Sequence, residues 1–290
     1  MADHPIQANT QRKSILITGC SSGIGLHVAL GLKQRGHQVI ASARKHDDVE
    51  RLRQQGLDSV QLDLDDSASI DRAVEETLAI THGRLDALFN NGAYGQPGAV
   101  EDLRREVLRA QFETNLFGTF ELTNRIIPIM RQQGHGRIIQ NSSILGLITL
   151  PYRGAYNASK FALEALTDTL RMELQGSGIE VVLIEPGPIE SHFRKNAFRA
   201  YRDNIDTEHS THREIYQRME RRLTTQGSVT AFTLTPDAVL RRVIHALESP
   251  RPKLRYYVTF PTYLFATLRR ILPQRTLYWL LRKISSSENR

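Results

Sequence analysis

Cysteine is nearly absent: the 290 residues hold one, Cys20, which can neither close an intramolecular disulfide nor build a thiolate zinc site. No uninterrupted apolar run reaches the ~18 residues that span a bilayer. The opening MADHPIQANTQRK has no apolar secretion core. A reducing, cytoplasmic setting is therefore expected, with a flexible stretch over 1–13 and no metal site. Pro/Gly/Ser-rich linkers and internal repeats are also missing, so one domain over 1–290 is expected. A chain of this length buries about three quarters of its unfolded surface and needs no staples.

Acidic excess is lacking too. The formal net charge is +7, a balance that could suit nucleic acid, an anionic membrane or a phosphorylated ligand. Of 38 basic and 31 acidic side chains, nine basic and one acidic lie in 251–290, leaving 29 against 30 in 1–250. The excess belongs to the tail. A nucleic-acid binder would need basic residues spread along a groove, and no recognition motif is present.

What is present is alternation. Short β-rich runs at Ser14–Thr18, Gln38–Ser42, Ser59–Leu62, Leu85–Asn90, Arg137–Asn141 and Glu180–Ile184 are separated by amphipathic stretches near 24–35, 67–81, 102–131 and 156–175. This predicts an α/β fold, a Rossmann-type doubly wound parallel sheet with helices on both faces. Ligands of such sheets bind beyond the carboxyl ends of the strands. Residues 194–228, rich in Arg, Glu and His, break the rhythm and read as a helical insertion over the site, mobile or simply a solvated arm.

The first strand runs into TGCSSGIG, Thr18–Gly25, and then a helix. Glycines at 19, 23 and 25 permit a tight turn and close backbone approach to a pyrophosphate at a helix N-terminus. No Gly-Lys-Ser/Thr follows, so it is not a Walker loop, and the first glycine interval differs from GxGxxG.

This TGxxxGIG pattern resembles the short-chain dehydrogenase/reductase family. That family's further motifs follow in order: Asp63 in LDLDD, Asn90–Ala93 as NNGA where the family has NNAG, Asn115 in TNLFG, Ser143 in NSSILG, Tyr156–Lys160 as YxxxK, and Pro186–Ser191 as PGPIES. The detail is similar to the NADP-dependent aldehyde reductases of the family, strongly over 14–192 and loosely beyond. The resemblance implies a catalytic set of Asn115, Ser143, Tyr156 and Lys160. It implies cofactor contacts by Gly19, Ser21, Ser22, Gly23, Ile24, Gly25, Ser42, Arg44, Asp63, Leu64, Asn91, Gly92, Tyr156, Lys160, Pro186, Gly187, Ile189 and Ser191. Asn115 would hold a relay water or serve a helix kink, Lys160 would bind the nicotinamide ribose, and Ile189 and Ser191 the carboxamide. It also implies a homodimer or homotetramer, joined through the helices near 102–131 and 156–175.

The residue chemistry agrees. Tyr156 and Lys160 stand i, i+4 on one helix face. A lysine cation nearby favours a phenolate and should lower the tyrosine pKa, suiting a general acid/base. Ser143 can donate to the substrate oxygen; Ser142 competes for that role, and the family spacing favours Ser143. Ala93 stands where the family has glycine; if that place requires positive φ, alanine costs ~1 kcal/mol and cofactor affinity suffers.

After the second strand, Ala43 replaces the acid expected of NAD-selective members and Arg44 follows, so NADP(H) is expected as cofactor. Ile144, Leu147, Tyr152 and Phe193 suggest an apolar wall. The expected reaction is reduction of an apolar aldehyde or ketone by NADPH. The alternatives are a steroid- or retinoid-type alcohol dehydrogenase, or a non-catalytic NADPH-binding sensor. His192 reads as a rim residue and Cys20 as a spacer. In 251–290, Leu277, Leu280, Leu281 and Ile284 repeat at helical spacing beside Arg282, Lys283, Tyr278 and Trp279. These basic amphipathic helices read as a pocket lid, a subunit interface or a peripheral membrane contact.

Overall fold

A computed structural model describes residues 12–225, 227 and 232–288. The flexible stretch expected over 1–13 therefore lies outside the described residues except for Arg12 and Lys13. Seven parallel strands form one sheet in the order β3-β2-β1-β4-β5-β6-β7: β1 (Ser14–Ile17), β2 (Gln38–Ala43), β3 (Asp58–Gln61), β4 (Ala87–Asn90), β5 (Gly136–Asn141), β6 (Ile179–Glu185) and β7 (Arg255–Tyr257).

Each inner strand is apolar on both sides because both faces are covered. In β1, Ile15 and Ile17 face one layer and Leu16 the other. The first layer contains α1 (Gly23–Gln34), α2 (His46–Gln54) and α9 (Asp237–Glu248), through Val28, Leu32, Val49, Val239 and Val243. The second contains α3 (Ser67–Ile80), α5 (Gly118–Gln133) and α6 (Gly154–Glu173), through Ile70, Leu122, Ile126 and Leu170. The strand order reverses between β1 and β4, and a crevice opens there at their carboxyl ends.

Three features depart from the sequence reading. The amphipathic stretch near 102–131 is not one helix: α4 (Arg105–Phe112) passes through a π-helical turn, Glu113–Phe117, before α5 begins. The described part of 194–228, which leaves out 226 and 228, is not a solvated arm. It forms α7 (Phe193–Asn204) and α8 (Arg213–Thr224), which bury Tyr201, Tyr216 and Met219 against Ala99 and Ile205. The Tyr216 hydroxyl accepts from Ala99 N at 2.9 Å, and Asn204 Nδ2 donates to Gln96 Oε1 at 2.8 Å. Tyrosine here does the burying, so a count of aliphatic residues misses it.

The basic tail is also partly internal. It supplies β7, then α10 (Phe260–Ile271) and α11 (Gln274–Glu288). Phe265, Leu277 and Leu281 pack on Ile148, with Ile144 and Leu150 around them. The outer faces leave Ile271, Tyr278 and Trp279 exposed. Among the described residues no helix is long and apolar enough to cross a membrane.

Candidate active site

The glycine turn is built by three different constraints. Gly19 and Gly23 have φ of +70° and +60°, a region that penalises side chains. Gly25 is instead required by space: a Cβ there would stand 2.3 Å from the Gly19 carbonyl oxygen. A Cβ on Gly19 would come within 2.7 Å of Gly92 Cα, so the turn lies flat against the end of β4. Thr18 Oγ1 accepts from Asn91 N and Gly92 N at 2.9 and 2.8 Å. Asn91 Nδ2 donates to Thr18 O at 2.9 Å, and Asn141 Nδ2 donates to Asn91 Oδ1 at the same distance. Helix α1 starts at Gly23 with no side-chain cap, so its first amides and positive dipole end face the crevice. This side-chain-free cradle fits a pyrophosphate.

The NNGA order does no damage. Positive φ among non-glycine residues occurs at His82, Tyr152 and Phe232, and Ala93 is not among them. The strain expected of Ala93 is therefore absent, because the backbone runs through this position with ordinary dihedrals. Ala93→Gly is expected to change dinucleotide affinity less than about twofold, as isothermal titration would read it. Cys20 is a spacer: it is fully buried, its thiol meets Ile17 O at 3.3 Å, and burial pushes it up to about 12.

Beyond the turn lies a cavity of about 690 Å³. Gly19, Ser21, Ser22, Gly23, Ile24, Asn91, Gly92, Ser143, Tyr156, Lys160, Pro186, Gly187, Ile189 and Ser191 all line it. Ser143 follows β5 and caps a short 3-10 turn, its Oγ accepting from Leu145 N at 3.1 Å and bonding the Tyr156 hydroxyl. Ser142 also lines the cavity, but its Oγ lies by Gly146, buried without a partner among the described atoms. Lys160 Nζ donates to Asn141 O at 2.8 Å and lies 5.7 Å from the Tyr156 ring centroid.

The electrostatics differ from the simple pair picture. Tyr156 is pushed up to about 12 by burial, with the Ser143 hydrogen bond pulling the other way. Lys160 is pulled down to about 8 by burial, against the attraction of Glu164. The tyrosine thus keeps its proton at neutral pH, where the spacing alone suggested a lowered value. Lys160 is buried and Tyr156 half-buried at the cavity wall, and for both the loss of water contact is the largest cause of the shift.

Six expected residues do not line this cavity: Gly25, which packs against the Gly19 carbonyl, and Ser42, Arg44, Asp63, Leu64 and Asn115. Ser42 is fully buried in β2 and spends its hydroxyl on Ile17 O at 3.1 Å. Arg44 follows β2 at the surface, its carbonyl held by Gln61 Nε2. Asp63 Oδ1 accepts from Asp65 N at 3.2 Å, and Leu64 is buried against Gly118. Asn115 sits in the π-helical turn, where its side chain accepts from Tyr94 N, donates to Tyr94 O at 2.9 Å and donates to Ser159 Oγ at 3.1 Å. Its amide therefore fastens the helix to the segment after β4, a structural role that can stand beside the relay.

Of the apolar wall, Ile144, Tyr152 and Phe193 line the cavity and Leu147 does not. Phe193 lies edge-on to Tyr156 at 5.3 Å. Unforeseen lining comes from Gln96, Pro97, Leu150, Met219 and Leu223, the last two carried by α8. Also unforeseen is a buried charged group behind α6: Arg255 of β7 bonds Glu164, Glu185 and Asp168. A glutamate ending the apolar strand EVVLIE and another one turn after Lys160 were the available signals.

The sequence pattern of the family described as short chain dehydrogenase matches residues 13–202. The uncharacterized oxidoreductase YbbO of Escherichia coli K12 is 44% identical over 94% of this chain and 95% of its own. Human 17-beta-hydroxysteroid dehydrogenase type 1 is 33% identical over 86% of this chain and 78% of its own. A short-chain dehydrogenase structure from Streptomyces avermitilis superposes with a TM-score of 0.72 at 27% identity, covering 90% of this chain and 92% of that one.

Proposed function

The chain belongs to the short chain dehydrogenase family, and from that premise we propose that it reduces apolar aldehydes or ketones to alcohols with NADPH, in the manner of the family's aldehyde reductases. The observation that carries this reading is the convergence of Ser143, Tyr156 and Lys160 on the wall of a largely apolar cavity that runs from the glycine turn. When bound, NADPH supplies hydride. Ser143 donates toward the carbonyl oxygen as negative charge grows there. Tyr156, held protonated by burial, gives its proton to that oxygen; an alkoxide is a stronger base than a phenol pushed up to about 12. A group that keeps its proton at neutral pH is ready to serve as the acid of carbonyl reduction.

Lys160 would hold the nicotinamide ribose hydroxyls and return a proton toward Tyr156, with Asn115 fixing the helix turn beside them. The glycine turn and first turn of α1 would take the pyrophosphate, Asp63 and Leu64 the adenine side, and Ile189 and Ser191 the carboxamide. Arg44 carries the preference for the 2′-phosphate: it is exposed directly after β2, and Ala43 before it offers no carboxylate to a ribose 2′-hydroxyl. Ser42 is withdrawn from this role by its buried bond. Arg44→Ala is expected to cut the kcat/KM preference for NADPH over NADH by roughly 10–100-fold, since one charged bidentate contact is worth about 1.5–3 kcal/mol. An unchanged preference in steady-state assays removes Arg44 from the reading.

α7 and α8 form one wall and α10–α11 brace another from behind, through Ile144 and Leu150. For the tail, this inner packing supports a part in shaping the pocket. Its exposed outer aromatics, with Leu108, Phe117, Leu166 and Met172 on α4–α6, are surfaces for subunit or peripheral membrane contact. A steroid- or retinoid-type substrate also suits the apolar walls, and human 17-beta-hydroxysteroid dehydrogenase type 1 is a relative. Purified protein with NADPH, followed by NADPH absorbance against aliphatic aldehydes, aromatic aldehydes and steroid ketones, tests the reading. No consumption with any of them leaves the sensor alternative.

A further inference from the structure

Behind the catalytic helix lies a charged cluster that the reaction as described does not use. Lys160, Glu164 and Glu185 are 3%, 6% and 0% exposed. Glu164 stands one helical turn after Lys160, and its Oε2 accepts from Arg255 Nη1. Glu185 Oε1 accepts from the same nitrogen, so both carboxyls converge on one guanidinium. Held on one nitrogen, the two carboxyls crowd each other, and burial together with the negative charge of Glu164 pushes Glu185 up, so that it favours its proton. Neither Glu164 Oε1 nor Glu185 Oε2 has another partner among the described atoms. Glu164 Oε1 and Ser142 Oγ crowd the floor of the turn that follows Ser143: a Cβ on Gly146 would stand 3.1 and 2.8 Å from them.

Charge decides which carboxyl is ionised. Glu185 is fully buried and meets a single cation, shared. Glu164 meets that cation and also faces Lys160, so two cations stand beside it where Glu185 has one. The remaining charged and titratable neighbours are Tyr156, Asp168 and Arg171 on α6, Tyr257 on β7 and Arg270 on α10. Arg171 and Arg255 both bond Asp168. The β5 end and the turn after it contribute only the neutral Asn141, Ser142 and Ser143.

We propose that Glu164 is a positioning residue that keeps Lys160 in its ammonium form, and that Glu185 carries a proton so that one negative charge, not two, stands behind the lysine. The inference rests on the proposed role of Lys160 toward NADPH. Its use is specific: a lysine buried this deeply loses its charge unless a carboxylate is placed beside it. Arg255, counted in the sequence as part of a basic tail, holds that carboxylate in place from the edge strand.

The test is NADPH affinity by isothermal titration across neutral to alkaline pH, with the pH profile of kcat/KM as a second readout. Lys160 is pulled down to about 8 and Glu185 beside it is pushed up to about 8, whereas Tyr156 and Cys20 lie at about 12, so Lys160→Met decides whether an alkaline fall in affinity is the lysine's. In Glu164→Gln that fall is expected about one pH unit lower, weakening NADPH roughly three- to tenfold in mildly alkaline buffer. Glu164→Asp, which keeps the charge, is expected to return it most of the way. Glu185→Gln, an imitation of a protonated acid, is expected to leave it in place.

A fall unmoved in Glu164→Gln, or moved as far in Glu185→Gln, overturns the proposal. Melting curves accompany each variant. If Glu164→Gln does not fold, Glu185→Gln still decides, because a shift there contradicts the assignment of the proton. A wild-type fall that Lys160→Met abolishes, but Glu164→Gln does not move, overturns this inference and leaves the functional reading standing. No fall in the wild type overturns the inference with it, and Tyr156→Phe turnover then judges the functional reading separately.

Discussion

Tyr156→Phe is expected to lower kcat for carbonyl reduction by about 10²–10⁴-fold while NADPH binds with nearly unchanged affinity. The exchange is conservative everywhere except at the reacting oxygen. Phenylalanine keeps the ring, and with it the edge-on contact to Phe193 at 5.3 Å and the position of Lys160 over the ring. It removes the hydroxyl that Ser143 bonds, so the carbonyl would retain one donor and lose its proton source. Stability should stay level or rise slightly, because a desolvated polar group is lost along with its hydrogen bond. Steady-state kinetics with NADPH and a reactive aldehyde, beside a calorimetric titration, separate the two effects. Near-wild-type turnover would remove Tyr156 as the acid and the mechanism with it.

Gly118→Ala is expected to be the most destabilising single methyl in the neighbourhood of the site, at roughly 3 kcal/mol or more. A Cβ on Gly118 would lie 1.8 Å from the Leu64 carbonyl oxygen and 2.9 Å from Leu64 Cβ. A backbone carbonyl cannot swing aside as a side chain does, so α5 would have to back away from the segment after β3. For a chain of this size the melting temperature would fall by about 6–12 °C. The displacement would also disturb the π-helical turn that carries Asn115, so reduced activity should accompany it even below the transition. An unchanged melting curve would mean that the close approach of α5 to Leu64 is not as described.

The site was legible in the sequence to an uneven degree. The glycine turn, Ser143, Tyr156 and Lys160 could be read because each depends on local spacing: a strand, then three glycines; a strand end; an i, i+4 pair on a helix. The six strands of the β-α alternation could be read for the same reason, since a buried parallel strand is a short continuous apolar run. Strand β7 could not, because Arg255–Tyr257 is three residues long and carries arginine and tyrosine. Helix α2 has two buried residues, Val49 and Leu52, too few for a periodic signal. Ser42 misled because a serine near the expected 2′-phosphate looked useful, and whether its hydroxyl is free depends on the neighbouring strand.

The amino-acid sequence by itself determined the fold class, the glycine turn and the placing of Ser143, Tyr156 and Lys160, since spacing along the chain dictates them whatever the rest does. Tertiary structure decided the properties that come from burial and long-range pairing. It set the sign of the Tyr156 shift, because the loss of water contact is its largest cause. It removed the expected strain at Ala93, because dihedrals are fixed by how the β4 end meets the glycine turn. And it turned one arginine of a seemingly free basic tail into the partner of Glu164 and Glu185, because β7 closes the sheet beside them.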